Sequence, residues 1–414
     1  METLGIFGFE TRSPAIATMI LLVGIGLYYQ FLNNAAPFLQ RVLTFTASII
    51  FIGVMIANFS SASQPLRYFA VNTLPSSIVL LLIFIILVAH EIMASFVSLV
   101  GKGTRNSKSL RHYMIISGFY LVNLWLAYLD RINYIEWAFT IPPFLLLIIS
   151  GILSVWGIRQ RQPQYERIIS ADPFGVYVIL SLGVISFSAL GYFVASSGDV
   201  VLLSLNDLIL YAHIGYGMIF FLYVVSNFLT MLASNLQAYR VLYKPTVMPY
   251  FSYRIAGLIF TLAFIFYRSW TVPVNHFISG YYTSLGDLFV SEGDPMLTLG
   301  YYKRAYFYAP YNQHAATALA EVEAARNNLS KERDYRKGAN SYKPTEFTLL
   351  SAANTYSGNP LEEVVELQEA NKILPSSGVI QNSLGLSYSR LGMADSAYRF
   401  FTHASRNKLT KASC

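Results

Sequence analysis

Eight stretches of this chain are too long and too apolar to be anything but helices, and together they fill its first two-thirds. They cover about residues 14–33, 41–59, 75–100, 112–129, 136–157, 174–196, 206–235 and 252–270, each near the ~20 residues that cross a bilayer. Residues 78–88 form an unbroken apolar run, and the eighth stretch is bounded by Arg268 and Pro273. Inside hydrocarbon no water satisfies the backbone, so such runs must close their own hydrogen bonds as helices. Composition agrees: 54% of residues are hydrophobic and only 12% charged, where soluble domains carry roughly a quarter charged residues. The expected fold class is all-α, a polytopic transmembrane helix bundle of about eight spans over 1–278, followed by a short helical solenoid over 279–414.

The net charge of +7 invites a nucleic-acid reading, but its distribution excludes one. Residues 1–278 carry 15 Lys/Arg against 9 Asp/Glu, whereas 279–414 carry 14 against 13. Within the apolar part the excess sits in alternate loops. One set holds Arg41, then Lys102, Arg105, Lys108 and Arg111, then Arg159, Arg161 and Arg167, then Arg240, Lys244 and Arg254. The other set holds only Arg12, Arg67 and Arg131. Basic residues beside a span resist translocation, so the eleven mark the cytoplasmic loops. With eight spans both termini then lie outside. Ahead of Pro14 stand Glu2, Glu10 and Arg12, which is not a basic signal region, so the first span is expected to be retained. Aromatic residues at the span ends, such as Tyr28, Trp137, Trp156 and Trp270, read as an interfacial belt.

Ionisable and amide groups inside such spans are functional candidates by default. The set here is His90 and Glu91 in the third span, Asn123 in the fourth, His213 in the seventh and Arg268 near the end of the eighth. On a continuous helix His90 and Glu91 diverge by about 100°, so one partner is not expected to serve both. His90-Glu91-Ile92-Met93-Ala94 opens like the zinc-protease motif, but Ala94 stands where the second metal-binding His belongs. Two histidines in the bundle raise the alternative of a haem held by paired imidazoles, with His90 read at mid-depth and His213 nearer the surface. The leading reading is that these groups bond between helices and fix the bundle, with no cofactor and no metal. An ion or proton path is the alternative.

Beyond the spans a 34-residue pattern recurs. Residues 378–411 supply Leu384-Gly385, Tyr388, Leu391-Gly392, Ala397, Phe401 and Ala404. Residues 344–377 supply Phe347, Leu350, Leu367, Ala370 and Pro375 in the same frame, and 279–312 supply Tyr282, Leu285-Gly286, Phe289, Tyr302, Ala305 and Pro310. Between them, 313–343 is helical over 315–327 and then polar, and is read as a degenerate unit. Small residues at these positions let two helices cross closely, aromatics fill the space between units, and Pro ends the second helix. This pattern resembles the tetratricopeptide repeat family. The resemblance implies a stack of helix pairs whose groove holds a protein segment, with groove positions projected onto Thr283, Asp287, Thr348, Ala352, Tyr356, Asn382, Leu386 and Arg390. The Lys/Asn clamp that chaperone-binding members close on a terminal carboxylate is missing from these positions. The last unit closes at Lys411 without an extra polar helix, so a partner or further chain is expected to cap the stack.

The apolar part resembles, in outline, multi-pass proteins of bacterial envelope systems, including surface-polysaccharide ligases and partners of exosortase-type sorting. An exosortase needs a membrane-embedded Cys, and the single cysteine here is Cys414. The expectation is therefore an integral scaffold of a bacterial inner membrane, in contact with the bilayer, presenting the repeats to a protein partner on the extracytoplasmic side. A membrane enzyme or transporter working around His90, Glu91 and His213 is the rival. Cys414 is a natural topology probe: a membrane-impermeant maleimide is expected to label it in intact cells. Labelling only after permeabilisation would put the repeats in the cytoplasm and mean that one span is miscounted.

Overall fold

The computed structural model describes residue 6 and residues 13–101, 108–165, 174–196, 198–245, 247–342 and 344–406. The Arg12, Lys102, Arg105, Arg167, Lys411 and Cys414 of the sequence reading lie outside them. The described residues are helical with no strand among them, and contacts divide the chain into two compact units. One comprises Met1–Pro75, Tyr281–Phe307 and Ala315–Cys414; the other comprises Ser76–Gly280 and Tyr308–His314.

Among the described residues eight helical segments are long and apolar enough to cross a membrane. Helices α1 (Ser13–Leu27) and α2 (Phe38–Phe59) leave Met19, Ile20, Leu43 and Ile49 exposed, and only 6% of each apolar segment is buried. Helix α3 (Pro65–Val88) is followed by a turn at Ala89 and His90 and then by α4 (Glu91–Gly101). This third segment therefore starts ten residues before the apolar run that marked it, which moves His90 away from mid-span. At 1.5 Å per residue, α3 already travels about 36 Å before reaching the turn. Next come α5 (Ser109–Arg131), α6 (Pro143–Tyr165), α7 (Phe174–Ala195), α8 (Asp199–Ala233) and α9 (Tyr250–Arg268). Helix α8 is the axle of the second unit: 72% of its apolar segment is buried, against 22% for α9.

Close helix approach in this unit is set by glycine. A Cβ on Gly215 of α8 would come within 2.3 Å of Thr261 Oγ1 on α9, and one on Gly257 of α9 within 2.6 Å of the Tyr216 ring. Small residues let backbones meet where lipid supplies no hydrophobic drive between helices. By contrast, a Cβ on Gly24 of α1 would meet nothing within 4 Å, and one on Gly26 only the Phe45 ring at 4.0 Å.

The remaining helices come in sequential pairs: α10 (Thr271–Glu292) and α11 (Pro295–Tyr308), α12 (Gln313–Ala325) and α13 (Leu329–Ala339), α14 (Glu346–Asn354) and α15 (Pro360–Ile373), α16 (Gly378–Arg390) and α17 (Ala394–Ala404). The stretch read as a degenerate unit is thus a full helix pair. Its second helix is hard to see in hydropathy because its inward side is carried by few residues. Ala339 is buried, and Tyr335 packs edge-on against Tyr306 with centroids 5.5 Å apart. Asn328 caps the start of α13, and Arg336 pairs with Glu332 one turn away. Turn geometry repeats too. Gly293, Asn327 and Gly392 take a positive φ (74°, 57° and 73°) one or two residues after the first helix of their pairs. That is the left-handed stop that glycine and asparagine accept.

Inside a pair the glycine–aromatic contact is tight. Gly286 faces the Tyr302 ring, and Gly385 faces Phe401, where an added Cβ would stand 2.6 Å from the ring. Leu349, Ala353, Val364, Leu367, Ile380, Leu384 and Ala397 close one core across the last two pairs. Gly385→Trp is expected to disrupt the last pair, since overpacking of this kind costs about 1–3 kcal/mol or more. Limited proteolysis should then cut within 344–406 while the apolar helices stay membrane-associated. An unchanged proteolysis pattern would rule out this packing.

Candidate functional site

A buried polar cluster forms where the break between α3 and α4 faces α6, α8 and α9. The break leaves His90 fully buried and turns Glu91 into the first residue of α4, also buried. From α6 comes Arg161, only 2% exposed; from the first turn of α9 comes Arg254, half-buried. Arg161 Nη2 lies 2.5 Å from Glu91 Oε1, and its Nη1 lies against His90 Nε2. On the other side of the imidazole, Arg254 Nη1 is 2.7 Å from His90 Nδ1. One turn before Arg161, Gly157 makes the room: a Cβ there would fall 2.3 Å from Glu91 Oε2. Aromatic rings wall the cluster. Phe220 and Tyr253 lie 5.6 and 5.9 Å from the His90 ring, while Tyr216 and Tyr243 face the guanidiniums of Arg254 and Arg161.

Two expectations are corrected here. Arg161 serves both His90 and Glu91, with Nη1 toward the imidazole and Nη2 toward the carboxylate at the junction of α3 and α4. Arg161 and Arg254 are also not loop charges: α6 continues to Tyr165 and α9 begins at Tyr250, so hydropathy windows end before the helices do.

The other candidates stand apart. Asn123 donates to the Phe139 carbonyl (2.8 Å) and accepts from the Ile141 amide (3.3 Å), tying the segment before α6 to α5. His213 is buried on α8, with Nδ1 2.7 Å from the Ile209 carbonyl and Nε2 3.3 Å from Ser150 Oγ. It shares a helix face with Tyr216 and Phe220 but contacts neither arginine in these bonds. Paired ligation of a haem iron by His90 and His213 would require both rings to give up these partners. Arg268 is exposed at the end of α9. Among the described residues no three His, Cys, Asp or Glu side chains converge as a metal site.

The sequence reading missed a second polar node. Ser204 Oγ of α8 is 2.6 Å from His276 Nδ1 of α10, and Tyr311 OH lies against His276 Nε2. Burial pushes the His276 pKa down to about 4, so the ring is neutral around pH 7. His276 falls in the polar stretch just after the last apolar run, where no motif pointed to it.

On the repeats the projected groove positions scatter. Thr283 is buried, and Thr348 is buried inside a capping box with Thr345, so neither reaches a surface. Asp287 accepts from Tyr302 OH at 2.6 Å. Tyr356 is covered by the Arg333 guanidinium at 4.1 Å, and Arg390 pairs with Glu363 at 2.9 Å. Asn382 is half-buried, Ala352 is buried and Leu386 is exposed. The open concavity lies instead between α13 and α14: about 460 Å³, lined by Glu332, Arg336, Phe347, Leu350, Ser351, Asn354 and Thr355. Phe347 is 65% exposed at its rim.

No protein-family model matches the chain, and no curated protein matches it. Among solved structures, the crystal structure of MamA is similar at 16% identity and a TM-score of 0.28, covering 38% of this chain and 91% of that one.

Glu91→Ala is expected to destabilise the second unit by about 3–5 kcal/mol, because it removes the carboxylate of a buried ion pair while the guanidinium stays buried. The double change Glu91→Leu with Arg161→Met should recover most of that loss, since an apolar pair has no charge to desolvate. Thermal unfolding of detergent-purified protein measures both, and a Glu91→Ala variant as stable as the parent would remove the ion pair from the account.

Proposed function

We propose that this is a multi-pass membrane protein that presents its helical repeats as a docking surface for another protein. The observation that carries the reading is the run of helix pairs from α10 to α17, three of them with a left-handed residue between their two helices, and the open concavity between α13 and α14. Phe347, an exposed aromatic beside a partly polar hollow, has the make-up of an interface anchor. In the same reading the repeats lie on the extracytoplasmic side of a bacterial inner membrane, as the loop charges suggest, and the outward apolar faces of α1 and α2 meet lipid. An envelope assembly or sorting system is the setting that fits a module of this kind.

A second reading is favoured by one observation, the buried Arg161–Glu91 pair beside His90: a transporter or membrane enzyme with a polar site in its bundle. The two part at the repeats. A photo-crosslinker placed at Phe347 in native membranes is expected to give one discrete protein adduct, and Leu350→Asp should reduce it at least severalfold. If no adduct forms at Phe347 or Leu386, the docking reading falls and the bundle reading takes its place.

A further inference from the structure

We propose that the concavity between α13 and α14 takes an extended, uncharged protein segment of about four residues, held by its backbone and by one large apolar side chain. The proposal rests on the docking reading above and names the chemistry of the partner. Phe347, Leu350, Ser351, Asn354 and Thr355 follow at steps of three, one, three and one residues, so they line one side of α14. Along that side the chemistry turns from apolar to polar. Phe347 is exposed and Leu350 half-buried; beyond them Ser351 and Thr355 are half-buried and Asn354 is exposed. From Phe347 to Thr355 the chain rises about 12 Å. About four residues of extended chain cover that length at ~3.3 Å each.

Hydrogen-bond chemistry selects a backbone as the occupant of the polar end. The Ser351 hydroxyl faces Arg336 Nη1, and a guanidinium only donates. Ser351 therefore accepts from it and keeps its own proton for another acceptor. Thr355 Oγ1 donates to the Ala352 carbonyl at 2.8 Å and keeps a lone pair for a donor. Asn354 offers an amide that does both. An extended segment brings one N–H and one C=O per residue to such a surface, whereas a helix has already bonded most of its own. Extended partners take affinity from these main-chain bonds and specificity from side-chain pockets. Here the pocket is the apolar end, at Phe347 and Leu350.

Charge then restricts the side chains. Among the lining residues Glu332 and Arg336 carry charge, and they pair with each other, Arg336 Nε standing 2.9 Å from Glu332 Oε1. Glu332 is buried and Arg336 half-buried, so the two make a neutral floor. A partner carboxylate reaches Arg336 only by displacing Glu332, and a partner ammonium reaches Glu332 only by displacing Arg336. Either exchange separates a largely buried ion pair, which costs more than a new surface contact returns. A segment without charge leaves the floor intact and meets Phe347 and Leu350 with an aliphatic or aromatic side chain.

The test uses the full-length protein in detergent and a phage-displayed library of random peptides. Selection is expected to enrich a shared core of about four positions with one large apolar residue and no charge. Binding of a synthetic peptide with that core should change less than about twofold between roughly 50 and 500 mM salt. N-methylation of at least one core amide should weaken it about tenfold. Phe347→Ala and Asn354→Ala, both at exposed positions, should each weaken it at least about fivefold with thermal unfolding unchanged. Leu361→Ala, exposed on α15, should leave it as it was. A charged core, or a loss of about tenfold with salt, overturns the uncharged assignment while docking stands. Insensitivity to N-methylation overturns the extended backbone, and insensitivity to both Ala variants overturns the site. No enrichment at all overturns the proposal, and the docking reading outlives it if the Phe347 crosslinker still gives its adduct.

Discussion

The Arg161–Glu91 ion pair is the constraint around which the second unit is arranged. Two charges taken from water into a packed bundle repay their desolvation only if the geometry is close and the remaining donors and acceptors are met. Much of the local structure serves that requirement. The helix break after Val88 lets Glu91 begin a new helix and face α6. Gly157 keeps α6 free of a side chain where the carboxylate lies, and Arg161 follows one turn later on the same face. Aromatic rings then fill the volume that water would occupy.

The repeats depend on a different economy. Each helix pair buries small and aromatic residues against its own partner and its neighbour, so stability accumulates locally along the stack. The glycine–aromatic contacts at Gly286 and Gly385 recur because they set how closely the two helices of a pair approach. Polar residues are tolerated wherever they bond within the pair, as Asp287 does with Tyr302. Such a stack can vary its surface widely without losing its fold, which suits recognition more than chemistry.

Where the sequence was legible, the signal was redundant. Eight apolar runs each had some twenty residues to declare themselves, and the repeat frame had Leu-Gly, aromatic and Ala landmarks at fixed spacing. Where it failed, a single residue carried the information. Nothing in hydropathy distinguishes Arg161 as a helical residue facing Glu91 from an arginine in a loop, because the window ends at the first charge. Helix α13 was missed because Tyr335 and Ala339 do its inward packing amid charged neighbours. Thr283 and Thr348 were projected onto a groove from repeat position alone, yet both fold into the packing. His276 had no partner near it in sequence: Ser204 is 72 residues away and Tyr311 35.

These misplacements bear on topology. The loop-charge argument counts every basic residue beside a span as a topological signal, but Arg161 and Arg254 are held in the bundle by Glu91 and His90. Dropping these two from the eleven leaves nine against three, so the asymmetry outlasts the correction. Both arginines still lie at the same ends of their helices as the basic loops, Arg161 near the close of α6 and Arg254 at the opening of α9. A charge that first resists translocation and then finds a buried partner satisfies both demands at once. If the basic loops face the cytoplasm, orientation and internal packing draw on the same residues, and a substitution at either arginine is read in full only by measuring topology and stability together.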